Sequence, residues 1–87
     1  MDATVRDNRE ASRFEISVDG DVAFQEYERR PGVIVLMHTE VPEHLRGHGL
    51  AGILTESALE VARAEGIRVM AKCPFARAYI EKHHKLP

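Results

Sequence analysis

A chain of 87 residues has room for one domain, and 44% hydrophobic with 30% charged residues is the composition of an ordinary globular protein. The formal net charge is −2, with 12 basic residues dispersed among 14 acidic ones, which removes the electrostatic case for nucleic acid or an anionic membrane as partner. One cysteine excludes an internal disulfide, and neither a secretion signal nor a membrane span is visible, so a reducing cytoplasm is the expected setting.

Residues 1–11 are polar and without apolar periodicity, which predicts a flexible N-terminal tail ahead of a single domain at 12–87. From Arg13 the pattern alternates, with Phe14, Ile16 and Val18 on one face and Glu15 and Ser17 on the other, a half-buried strand. Asp19-Gly20 is a hairpin signal. The return strand, residues 22–28, puts Val22 and Phe24 on one face and Ala23 and Tyr27 on the other. After a turn at Arg30-Pro31-Gly32, the run Val33-Ile34-Val35-Leu36-Met37 is apolar throughout, which predicts a central strand buried on both faces. Pro42 ends that ladder and turns the chain toward a helix.

From Gly49 a helical stripe runs through Leu50, Ile53, Leu54, Ser57, Ala58, Val61 and Ala62, and Gly66 stands where a helix-ending glycine belongs. Ile67-Arg68-Val69-Met70-Ala71 is a further strand, and this strand–helix–strand run favours a parallel crossover. Cys73 precedes Pro74, the favoured first residue of a helix, and Phe75, Ala78, Tyr79 and Lys82 share a face of that helix. The expected class is α/β (mixed α+β), ordered β-β-β-α-β-α, with a central sheet flanked by two helices.

The chemistry gathers where the buried strand meets the first helix. A helix start presents unpaired N–H groups and the positive end of a dipole, a site for an anion such as a pyrophosphate, and glycines there admit a ligand close to the backbone. Arg46-Gly47-His48-Gly49-Leu50-Ala51 fits the pattern [RQ]-x-x-G-x-[GA] at this junction and resembles the acetyl-coenzyme-A loop of the GNAT superfamily of N-acetyltransferases. His38-Thr39-Glu40-Val41-Pro42 before it and Cys73-Pro74-Phe75 after it are similar to segments of a small single-domain GNAT-like subfamily. The resemblance covers roughly residues 13–83 and implies a minimal GNAT-like fold.

It also implies acetyl-coenzyme A as cofactor, its pyrophosphate held by backbone N–H groups among Arg46, Gly47, His48, Gly49, Leu50 and Ala51. The pantetheine arm then pairs like an added strand along Thr39, Glu40 and Val41. Cys73 and Tyr79 are expected beside the same ligand. Larger relatives often carry a tyrosine in the last helix that protonates the departing thiolate, within a Y-E-K-like run. Here Ile80-Glu81-Lys82 occupies that run and Tyr79 lies one position earlier, about 100° around the helix.

Three side chains are candidates for catalysis. Cys73, at a helix start and beside Lys72, would feel a positive potential that favours the thiolate. Its readings are a transient acetyl-cysteine, a pocket wall at the thioester, or a small residue filling a junction. His38 and Glu40, two apart on a strand, share a face and form either a proton relay for an incoming amine or a structural polar pair. His83 and His84 fall at the far end of the last helix, about 15 Å from Cys73, so no metal site is expected. The leading expectation is an acetyl-CoA-dependent N-acetyltransferase acting on a small-molecule or protein amine. The alternatives are a CoA-binding module with weak or no catalysis and a small interaction protein. Acceptor and oligomeric state are not legible.

Overall fold

The computed structural model describes residues 3–84 of the chain. Its elements are β1 (Arg6–Asn8), β2 (Arg13–Val18), β3 (Asp21–Arg30), β4 (Val33–Glu40), a 3-10 turn at Glu43–Leu45, α1 (Leu50–Glu65), β5 (Arg68–Ala71) and α2 (Pro74–His83). The five strands lie in chain order in one sheet. β1 to β4 are antiparallel neighbours, and β5 joins β4 in parallel after the α1 crossover.

The mixed sheet and two helices match the expected class, with one strand more than predicted. Residues 6–8, read from sequence as tail, pair with Arg13, Phe14 and Glu15. Polar side chains from other elements hold them: the Tyr27 hydroxyl donates to Asp7 at 2.7 Å, Asn8 donates to Glu15, and Arg9 meets Glu65 at 3.1 Å. Such a strand leaves no alternation of apolar residues to read. Residues 1, 2 and 85–87 of the predicted tail and domain lie outside the described residues.

The core is Phe14, Ile16, Ala23, Tyr27, Ile34 and Leu36 from the sheet, closed by Leu50, Leu54, Ala58 and Ala62 of α1 and by Ala76 and Ile80 of α2. Val33 and Val35, on the opposite face of β4, are buried as well, as the continuous apolar run predicts. Met37 breaks that prediction at 38% exposed, at a point where β4 departs from regular pairing with β3. Glu15, expected on a polar face, is buried because Arg13 and Asn8 bond its carboxylate; Arg13 in particular holds that carboxyl below its ordinary range.

α2 does not bury the stripe predicted for it. Phe75, Ala78 and Lys82 are exposed and Tyr79 is half-buried, whereas Cys73, Ala76 and Ile80 face the core. Their spacing fits a helix equally well, and the small Ala76 allows close approach, so packing selects between two stripes of similar period.

Candidate functional site

β4 and β5 stay paired from Val33 opposite Arg68 to Leu36 opposite Ala71, and there the ladder stops. The Leu36 carbonyl accepts two backbone N–H groups, from Lys72 at 2.9 Å and Cys73 at 3.0 Å, and the chain turns into α2. β4 continues to Glu40 with no strand beside it on that edge among the described residues. The sheet therefore forks at Leu36, and the open arm presents unpaired backbone donors and acceptors, the geometry that accepts an added extended ligand.

A β-bulge sits at the same point. Tyr27 lies opposite Leu36 and Glu26 opposite His38, which makes Met37 an extra, unopposed residue in β4. Cross-strand partners share a face. Leu36 and Thr39, opposite Tyr27 and Gln25, therefore both point under the helices, while His38 and Glu40 point away. Without the bulge His38 would continue the Ile34–Leu36 face.

The loop beyond β4 is built to stay open. Leu45 anchors it in the core, and Arg46 donates from Nε to the Val41 carbonyl at 3.1 Å, so this side chain braces the loop. Gly49 is the N-cap of α1 with φ 73°, a left-handed conformation in which an L side chain is strained. No described side chain caps this helix, and its first turn carries no acidic residue. The ladder begins with the Ile53 N–H bonding Gly49 O at 3.1 Å, which leaves the N–H groups of Leu50, Ala51 and Gly52 without a described acceptor. An uncapped helix mouth beside a brace and two positive-φ glycines, Gly47 and Gly49, has the geometry and dipole that favour an anion.

Fork and loop enclose a cleft of about 430 Å³. Of the residues the sequence singles out, His38, Thr39, Glu40, Val41, Arg46, Gly47, Gly49, Leu50 and Ala51 line it, joined by Gly52 and Phe75. His48 does not line it and is exposed. Tyr79 lies in an adjoining cleft of about 450 Å³ that shares Gly49, Gly52 and Phe75. Its hydroxyl donates to Glu56 at 2.7 Å, and His84 bonds the same carboxylate. His84 first and Tyr79 second hold the Glu56 carboxyl below its usual range, and Glu56 in turn raises the Tyr79 phenol.

Cys73 is the N-cap of α2, as expected, with Pro74 at the first helical position. Its sulfur does not cap the helix; it lies 3.3 Å from Thr39 Oγ1, behind the cleft wall and 4% exposed. Sequence reasoning misses what stands behind that pair. Gln25, fully buried, donates from Nε2 to Thr39 at 3.0 Å and to Thr55 at 2.9 Å, and Thr55 donates to the Ala51 carbonyl at 2.9 Å. Both hydroxyl oxygens accept from the amide and the Thr55 proton is committed to Ala51. The Thr39 hydroxyl is thus free to donate to the Cys73 sulfur. The only sequence signal is a glutamine inside an otherwise apolar strand face.

His38 and Glu40 do come together, Nε2 to Oε2 at 2.7 Å, each with a little over half its side chain exposed. They stand on the solvent side of the open arm, where an incoming amine has access.

The profile of the GCN5-related N-acetyl-transferase family matches residues 13–86. The chain is 34% identical over 86 residues to Protein NATD1 of Mus musculus, and equally to that of Gallus gallus, an overlap covering 95% of this chain and 77% of each relative. Homo sapiens Protein NATD1 is 34% identical over 55 residues, 63% of this chain and 48% of the relative. The matched span holds the forked strands, the glycine loop and both helices, and on that ground the chain belongs to the GCN5-related N-acetyl-transferase family.

Proposed function

We propose that the protein transfers the acetyl group of acetyl-coenzyme A to an amine. The observation that carries this reading is the uncapped α1 mouth at Leu50, Ala51 and Gly52 lying beside the open arm of β4. The diphosphate is held at the helix mouth, where positive dipole and free N–H groups favour it. The amide-bearing arm pairs along residues 39–41 and brings the thioester toward the fork. An amine nitrogen attacks the thioester carbonyl carbon, the carbon–sulfur bond breaks, and the sulfur leaves with the coenzyme. The amine proton passes to His38, which Glu40 orients. Cys73 backs the wall at the thioester end, with Thr39, which does line the cleft, fixing its sulfur. A lone free thiol suits a reducing cytosol, where we place the reaction.

A coenzyme-binding module with little catalysis is the second reading. It is favoured by Tyr79, whose hydroxyl is committed to Glu56 and so gives no acid for the departing thiolate. Thermal unfolding separates binding from its absence. Coenzyme A at 100 times its dissociation constant stabilises by roughly 2.7 kcal/mol, a clear rise in Tm for so small a domain. Thiol release with a panel of amines, protein lysines included, then tests transfer. Acceptor-dependent release is the expected result; stabilisation with no such release selects the module, and no stabilisation removes both.

A further inference from the structure

A second cleft, about 930 Å³, runs along β5 between the C-terminal half of α1 and α2. Its floor is apolar, with Leu59 and Ala62 from α1, Val69 from β5 and Ile80 from α2. β5 is the last strand of the sheet, so the backbone groups on its outer edge have no ladder partner among the described residues, and Met70 stands 46% exposed there. An apolar trough beside an open strand edge fits an extended polypeptide.

Charge decides which polypeptide. Four cations, Arg63, Arg68, Lys72 and Arg77, line the cleft against one carboxylate, Glu81, although the whole chain is at −2. Glu81 is already paired with Arg77 at 3.5 Å, and Arg63 and Arg68 carry no ion pair among the described residues. Lys72 lies near Glu28, whose carboxylate is bonded to Arg30 at 2.8 Å. A second copy brought edge to edge by a two-fold axis would set this cationic group against itself with no free carboxylate to answer it.

We propose that the β5 edge docks an extended acidic segment of another protein. The segment adds to the sheet, its alternate apolar side chains fill the trough, and its carboxylates meet Arg63, Arg68 and Lys72. This surface is separate from the transfer site and stands or falls without it.

Fluorescence anisotropy of a labelled peptide of alternating valine and glutamate, titrated with the whole chain, tests the proposal. Saturable binding is expected. It weakens at least about tenfold when Arg63→Glu and Arg68→Glu are combined, both exposed positions whose fold is checked by circular dichroism. It is lost when one set of alternate peptide amides is N-methylated, because the strand pairing goes. The matching valine–lysine peptide binds only the charge-reversed variant. No binding, binding indifferent to the double variant, or binding that survives N-methylation of each set of amides in turn overturns the proposal. So does a dimer in sedimentation that excludes the peptide.

Discussion

A methyl group on Gly52 would lie 2.9 Å from Cε2 of Tyr79. That ring has little freedom to retreat, since its hydroxyl is bonded to Glu56 and its centroid is 4.4 Å from that of His83. Replacing a helical glycine by alanine ordinarily stabilises by about 0.5–1 kcal/mol, but overpacking costs about 1–3 kcal/mol, so the clash wins. Gly52→Ala is therefore expected to lose about 1–2 kcal/mol in urea unfolding, and a Tyr79→Ala background to restore the loss. Gly49→Ala acts on the other side of the same turn: at φ 73° an L side chain costs about 1–2 kcal/mol. Calorimetric titration should then show coenzyme A bound at least about tenfold more weakly; unchanged affinity would mean that the diphosphate sits elsewhere. Direct attack by the amine predicts that Cys73→Ala keeps turnover within about tenfold, whereas a loss near a thousandfold would make the thiol the nucleophile. The glycines and Cys73 are visible in the sequence because each marks a junction. Gln25 and Thr55 are not, since 30 residues separate them and they meet only when sheet and helix dock.

Between elements, α1 and α2 are joined by a polar clamp of Glu56, Tyr79 and His84. Glu56 has its carboxyl depressed by these partners, so the stability it adds is present above the ordinary carboxylate range and is lost as pH falls through the lower folded value. Tyr79 has its phenol raised, so its part is complete below the usual phenol range and fades as pH rises through the higher folded value. Glu56 is partly exposed, and solvent screening limits the effect. Glu56→Gln should cost roughly 0.2–1 kcal/mol at neutral pH, with the gap from the parent closing below about pH 4 in unfolding curves. The hairpin of β2 and β3, the crossover helix and the two-sided burial of Val33 to Leu36 were all legible, because each follows from a hydrophobic period or a turn signal; β1 was not. The buried face of α2 was not, because Cys73–Ala76–Ile80 and Phe75–Ala78–Tyr79–Lys82 obey one period and only the close approach that the small Ala76 allows separates them.

Across the whole molecule, the N-terminal strand is held to the far side of the fold by charge. Glu65 at the end of α1 receives both Arg29 guanidinium nitrogens, at 2.8 and 2.9 Å, and Arg9 at 3.1 Å. Glu65→Gln should speed amide exchange in Arg6–Asn8 by roughly tenfold while leaving the core of β4 unchanged, because opening of β1 is local. The sequence announces the fold family through its loop, yet conceals how that loop comes to face the candidate cleft, since a bulge has no compositional mark. Met37 works as an offset of one in an otherwise regular count. Beyond it His38 stands opposite Glu26 and Thr39 opposite Gln25, so removing its codon would bring β4 into uniform step with β3 and leave every later side chain on its present side of the sheet. An even alternation that kept all the residues would instead set the imidazole beneath α1 in place of the threonine hydroxyl and turn that hydroxyl to water. The codon is thus dispensable where the phase it sets is not, and a chain shortened by that one amino acid should keep the parent's architecture by circular dichroism.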